Sequence, residues 1–248
     1  MSAPVDPQDP HRFYADVRAT IDAVPVDGQP RTVTTTLERI CHAATRRLEL
    51  MGSAVNLISA GGPDGVVASS SPRARELAEL EFTVGEGPGI QAFRSRRPVL
   101  VADLTRSDGR WPGYTSAAQS ADLAAVFAFP LHIGAVGFGV LELYADAPGA
   151  LDRDQTATAV TYAQIGTETL LDGEATTADG QLVPSLATAL DYRSEIAQAQ
   201  GMVMIDLGIS VSEALVRLRT HAFTHEEPLI SVARKVIDGY VLPGHDDA

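Results

Sequence analysis

The chain changes character at a polar segment, residues 174–180, and this change limits the folds open to it. Before that segment, short apolar runs alternate with Gly- and Pro-containing turns such as residues 61–65. After it, apolar residues recur only at intervals of three and four, which is typical of amphipathic helices. Strands that meet in hairpins between helical segments predict an antiparallel sheet covered by helices. We therefore expect an α+β unit, a sheet flanked by helices, followed by a smaller all-α unit of three helices.

The spacing of apolar residues places the elements of the first unit. Amphipathic helices are expected over residues 34–51 and 152–171. The expected strands are 54–59, 66–69, 99–101, 125–131 and 138–144, and shorter helices are expected at 72–80, 90–95 and 113–120. The predicted domains are an N-terminal tail and short helix (1–31), the sheet unit (32–172), a linker (173–181), the helical unit (182–241) and an acidic tail (242–248).

Charge and cysteine content limit the functions of such a chain. The net charge of −13 disfavours anionic membranes and requires any nucleic-acid site to concentrate its cations. Cys41 is the only cysteine, so a disulfide within one chain and a cysteine-based zinc site are excluded. It lies on the apolar face of the helix 34–51, where we expect a buried, unreactive thiol. Neither a signal peptide nor a membrane span is visible, and we expect a cytoplasmic protein without a bound metal.

Five segments of the sheet unit, in this order, are similar to a GAF domain. They are GEGP at 85–88, RPVLVADL at 97–104, RWPGY at 110–114, FAFPL at 127–131 and GVLELY at 139–144. The similarity spans about residues 32–172 and is closest to the GAF domains of actinobacterial regulators. It implies a central antiparallel sheet with a ligand pocket on one face. The pocket residues we expect are Gly85, Gly87, Arg110, Trp111, Tyr114, Phe127 and Phe129.

Two features of this pocket allow a structural interpretation as well as a functional one. The glycines at 85, 87 and 89 open a helix, where backbone amides can meet an anion, although a tight strand-to-helix turn is the simpler explanation of them. Trp111 and Tyr114 line a ligand pocket or form a satellite core under a long loop. The sequence lacks the Asn–Lys motif of cyclic-nucleotide GAF domains and the cysteines of the bilin-binding and reductase types. The effector therefore stays unknown.

The C-terminal unit reads as three helices with one apolar stripe each. The first, from about Leu182, ends at Leu207, because Gly208 is a typical C-terminal stop. Ser210 and Glu213 have the spacing of a capping box and begin the second helix. The third begins near Pro228, which suits a first helical position.

Three segments of this unit resemble an ANTAR domain. They are RSEIAQAQGMVM at 193–204, EALVRLR at 213–219 and LISVA at 229–233. The resemblance implies binding, usually as a dimer, to paired RNA hairpins that compete with a transcription terminator, and no enzymatic activity. The RNA-binding residues we expect are Arg193, Ala197, Gln198, Gln200, Gly201, Arg217, Arg219, Ser231 and Arg234. Each of these taken alone is also compatible with a solvated helix face.

Two departures set the condition that an RNA site must meet. Gln200 stands where the family usually carries lysine, and residues 182–248 hold five cationic against nine acidic side chains. The arginines and small residues must therefore gather on one surface. We predict a homodimeric RNA-binding antitermination regulator that binds two-hairpin leader transcripts under control of a small molecule. The alternatives are a dimeric small-molecule-sensing or protein-interaction module without RNA binding, and a GAF-based enzyme, for which no carboxylate dyad or nucleophile–base pair stands out.

Overall fold

The computed structural model describes residues 10–25, 32–59, 62–106, 109–134, 136–176, 184–225 and 227–243. Within these ranges, residues 59, 62–64, 173–176 and 184–193 are described by their backbone alone. Five strands form one antiparallel sheet in the order β2-β1-β5-β4-β3. Their bounds are β1 Gly52–Ser59, β2 Gly62–Ser69, β3 Val99–Val101, β4 Ala125–Ile133 and β5 Val136–Ala145. All five predicted strands are confirmed, most of them a few residues longer than the apolar runs.

One proline interrupts the central part of the sheet without breaking it. Pro130 lies inside β4 and pairs with Val140 of β5. The short strand β3 pairs only with Val126–Ala128, so β4 has a single neighbouring strand at Pro130. A residue without an N–H is tolerated where one side of the strand has no ladder to maintain.

Helices cover both faces of the sheet, as the α+β prediction requires. The first face packs against α1 Pro10–Asp22, α2 Val33–Arg47 and α6 Arg153–Thr176, in a core that contains Cys41. The second face packs against α3 Pro72–Val84, α4 Pro88–Ser95 and α5 Pro112–Ser120. Each of these three shorter helices has proline in its first turn, where the missing N–H costs no hydrogen bond. Cys41 is fully buried, which confirms the predicted core position, and burial raises the pKa of its thiol to about 12.

The C-terminal unit has its own small core. It consists of α7 Pro184–Leu207, α8 Val211–Thr224 and α9 Leu229–Ile237, and its buried residues come from all three helices. Gly208 takes a φ of 64° after α7, and Ser210 and Glu213 form the capping box of α8, so both predicted boundary signals are confirmed. The third helix begins one residue after Pro228, which occupies the N-cap position.

The two units are in contact. Helix α7 packs against the edge strand β2, and α8 and α9 pack against α3. The first four residues of the expected linker continue α6 as far as Thr176, and residues 177–183 lie outside the described part of the chain. Within the described ranges, no helix combines the length and apolar character needed to cross a bilayer.

Candidate ligand site and RNA-binding surface

The loop between α3 and α4 brings a buried carboxyl group to the start of a helix. Gly85 ends α3 with a φ of 83°, a left-handed conformation that glycine adopts without strain. Its N–H donates to the carbonyl of Glu81 at 2.7 Å. The Glu81 carboxylate then accepts hydrogen bonds from the N–H groups of Gly89 at 2.8 Å and of Ile90 at 2.9 Å, in the first turn of α4. The amides that we expected to meet an anion are therefore occupied by the chain's own carboxylate.

A second buried carboxyl group, that of Glu142, lies beside Glu81. The Oε2 atom of Glu142 accepts from the Nδ2 of Asn56 and, at 3.0 Å, from the hydroxyl of Tyr144. A Cβ on Gly89 would lie 2.7 Å from one Glu142 oxygen and 2.8 Å from one Glu81 oxygen, so both carboxyl groups meet at this glycine. Only a residue without a side chain leaves room for the pair.

Burial decides the protonation of this pair. Glu81 is 2% exposed and Glu142 is fully buried. Burial raises the pKa of Glu81 to about 7, although the amides of α4 favour its charged form. Burial, followed by the nearby charge of Glu81, raises the pKa of Glu142 well above its ordinary value. Burial therefore favours the protonated form of Glu142, and its carboxyl group is placed to share a proton with Glu81. Sequence reasoning found no carboxylate dyad, and the structure corrects this.

The predicted pocket residues near this pair come together only in part. Tyr114 is fully buried and Trp111 nearly so, in the core beneath α3–α5, and the guanidinium of Arg110 lies 4.5 Å from the centre of the Trp111 ring. Gly87 and Trp111 lie in one shallow depression of about 400 Å³. Its other lining residues are Glu86, Ile90, Gln91, Arg94 and Ser95. A Cβ on Gly87 would touch the Glu81 carboxyl group, so the floor of the depression lies directly over that group.

Phe127 and Phe129 are not part of this site. They belong to the core on the opposite face, against α2 and α6, whereas Val126 and Ala128 face the depression side. Strand residues alternate between faces, so both phenylalanines point away from Trp111 and Tyr114. Phe129 instead lines a separate groove of about 330 Å³ between the end of β4 and α6.

The RNA-binding residues predicted in the C-terminal unit do not form one open cationic surface. Arg234 donates to the carboxylate of Glu195 at 2.8 Å, and Gln200 donates to the carbonyl of Val211 at 2.6 Å. The guanidinium of Arg219 lies against Gly85 of the sheet unit. The side chain of Arg193 lies outside the described part of the chain.

Other predicted RNA-binding residues are open to solvent. Ala197 and Gln198 are exposed on α7, and a Cβ on Gly201 would meet nothing within 4 Å. Arg217 on α8 and Ser231 on α9 are half-exposed. Of the predicted set, the structure thus brings the small residues of α7 together, while the arginines whose side chains are described are divided between α8 and α9.

A stack of rings beside α8 was missed by sequence reasoning. The imidazoles of His221 and His225 stack with centroids 4.0 Å apart, and the ring of Tyr240 lies 5.6 Å from that of His221. RNA loops commonly stack unpaired bases on such rings. The spacing of four residues on a predicted helix was the available signal for the histidine pair, whereas the approach of Tyr240 depends on the fold.

Comparison with known proteins identifies the same two units. The profile of the GAF domain family matches residues 30–169, and that of the ANTAR domain family matches residues 185–237. No curated protein matches the chain in sequence.

Solved structures of GAF domains and of related proteins are similar to the sheet unit. The GAF domain of a phosphoenolpyruvate-protein phosphotransferase from Coxiella burnetii has a TM-score of 0.50 and 14% identity, over 68% of this chain and 96% of that one. The free methionine-R-sulfoxide reductase from Neisseria meningitidis, in complex with its substrate, has a TM-score of 0.49 and 15% identity, over 71% and 99%. Since the GAF profile covers more than half of the 248 residues, the chain belongs to the GAF domain family, and it carries an ANTAR domain after the sheet unit.

Proposed function

We propose that this protein is an RNA-binding antitermination regulator in which the ANTAR helices bind paired hairpins of a transcript under control of the GAF domain. ANTAR domains are RNA-binding antitermination domains, and GAF domains are ligand-sensing domains. The observation that carries the proposal is the ANTAR match over residues 185–237, which falls on three helices with a core of their own.

The exposed face of α7 supports this role. Ala197, Gln198 and Gly201 leave the backbone of the helix open, and a folded RNA loop can approach it closely. RNA is read largely through unstacked bases, by amides, hydroxyls and arginine planes. Gln198 of α7 supplies an amide. On the neighbouring helices, Arg217 of α8 supplies a guanidinium and Ser231 of α9 a hydroxyl.

The depression beside Trp111 is the site that we propose for the effector. It lies on the surface of the GAF domain and adjoins the loop that contacts the ANTAR domain. A ligand there alters RNA binding only if its affinity differs between two arrangements of the loop. We also propose that the protein acts as a homodimer, because two linked ANTAR domains bind paired hairpins with higher avidity than one.

The test is to sequence the RNA that copurifies with the protein from cells and to measure its binding in solution. We expect a shared pair of hairpins ahead of terminators. Arg217→Ala is expected to weaken binding by roughly tenfold and to reduce the slope of log affinity against log salt by about one unit. Arg153→Ala, an exposed arginine at the start of α6, is the matched control and leaves binding unchanged. Equal affinities of the two variants contradict the role of Arg217.

The second candidate function is a dimeric sensing or protein-interaction module that does not bind RNA. It is favoured by the bond of Arg234 to Glu195 and by the surplus of acidic residues in 182–248. An intact dimer that copurifies with no enriched RNA, and that shows no salt-dependent RNA binding, establishes this alternative.

A further inference from the structure

One predicted RNA-binding arginine is held by the GAF domain. A Cβ built on Gly85 would lie 2.6 Å from Nη1 and 2.8 Å from Cζ of Arg219, so the guanidinium rests on the α-carbon of this glycine. The helices that carry the two residues, α3 and α8, pack together. A guanidinium pressed against the GAF backbone is not available to a phosphate or a base on that side.

The loop that receives Arg219 is held in place by its own domain. The N–H of Gly85 bonds to Glu81, and the carboxylate of the same Glu81 receives two amides of α4. Gly87, two residues further on, packs on that carboxyl group and also lines the proposed effector depression. The segment between Gly85 and Gly87 therefore links the depression to Arg219 over a very short distance.

We propose that the α3–α4 loop of the GAF domain masks Arg219, and that this loop and RNA compete for the same guanidinium. This inference rests on the proposed RNA-binding function. Competition of this kind is reciprocal: an effector that moves the loop away from Arg219 raises RNA affinity, and bound RNA favours the displaced loop by the same factor. The contact between Arg219 and Gly85 is thus the route by which a ligand in the depression alters RNA binding.

Gly85→Asn tests the mask in the full chain. Asparagine tolerates a left-handed backbone, but its Cβ removes the space that the guanidinium occupies. Gly134→Asn is the matched control, because Gly134 also has a positive φ, of 55°, and a Cβ there meets nothing within 4 Å. Binding to a synthetic two-hairpin RNA is expected to be about tenfold tighter for Gly85→Asn than for the wild type, with no change for the control.

A second measurement does not depend on RNA. Phenylglyoxal modifies accessible guanidinium groups, and the extent at Arg219 can be read by peptide mass spectrometry. We expect Gly85→Asn to raise the modification rate of Arg219 several-fold, while Gly134→Asn leaves it at the wild-type rate. This readout also shows that the variant is folded, since the modification rates of arginines remote from the loop stay unchanged.

The outcomes separate the mask from the proposed function. If the wild type binds the RNA and Gly85→Asn binds it equally or less tightly, the mask is overturned and the RNA-binding function stands. An unchanged modification rate at Arg219 overturns the contact itself. If the wild type and both variants bind no hairpin RNA, the proposed function fails. The mask then fails as well, because there is no RNA binding for the loop to compete with.

Discussion

Replacing Glu142 with glutamine is expected to stabilise the protein, by an amount that grows as the pH rises. In the native protein burial, and after it the charge of Glu81, raise the pKa of Glu142 well above the ordinary value and so favour its protonated form. In the unfolded chain the same group ionises near its model-peptide pKa. Above that pKa the native state binds more protons than the unfolded state, so the free energy of unfolding falls with increasing pH. Glutamine presents a neutral amide in the same shape and needs no proton.

The size of the effect follows from the proton that the native state retains. One proton of difference changes stability by about 1.4 kcal/mol per pH unit. The advantage of Glu142→Gln therefore grows with pH at up to this rate for as long as the native carboxyl group retains its proton, and each 1 kcal/mol gained corresponds to about 2–4 °C in the melting temperature of a chain of this size. At about pH 5 the two proteins differ little, because the unfolded carboxyl group is then partly protonated as well.

Denaturant unfolding followed by circular dichroism between about pH 5 and about pH 8 measures the difference. Glu76→Gln is the matched control, since Glu76 is exposed in a surface ion pair with Arg73. Glu81→Gln is expected to be less stable than Glu142→Gln, because its single amide oxygen replaces the two carboxylate oxygens that accept from Gly89 and Ile90. If Glu142→Gln shows the same pH slope as the wild type, or is the less stable protein at about pH 8, Glu142 is not the protonated member and the reasoning is refuted.

Two further substitutions test the packing that supports these sites. Gly139→Ala places a Cβ 1.9 Å from the carbonyl oxygen of Asn56. We therefore expect the free energy of unfolding to fall by more than about 3 kcal/mol, or no soluble protein. In the same thermal melt Gly149→Ala is expected to stay near the wild type, because a Cβ there meets nothing within 4 Å. Ser210→Ala removes the cap of α8 and is expected to cost about 1 kcal/mol in urea unfolding; an equal loss for Ser116→Ala, an exposed helical serine, contradicts a specific capping role.

The elements of this fold were predictable because their signals are local. The stop at Gly208 and the box formed by Ser210 and Glu213 depend on residues within one turn of each other, and both occur as expected. The strand segments were equally clear from short apolar runs between turns. What such runs do not provide is the identity of the helices that cover each face of the sheet. Phe127 and Phe129 share a face, but only the tertiary structure shows that α2 and α6 cover it.

The carboxyl pair shows a different limit. Glu142 occupies an inward position of β5 between Val140 and Tyr144, and a charged residue there was a signal in the sequence that this side chain needs a buried partner. The partner, Glu81, is 61 positions away on a helix, and no local pattern connects the two. The contact of Arg219 with Gly85 is of the same kind, because it depends on how two separately patterned units pack.

The same carboxyl pair bears on how far a small effector can move the loop. Displacing the loop from Arg219 disturbs Gly87 and the amides that Glu81 receives, and a disturbed cap exposes or reprotonates a buried group. Each of these changes costs free energy, which opposes the proposed displacement of the loop. An effector that binds both arrangements equally leaves RNA binding unchanged, however tightly it binds. If the proposed mask operates, a ligand in the depression releases Arg219 only when it contacts Gly87 or Glu86 differently in the two arrangements of the loop.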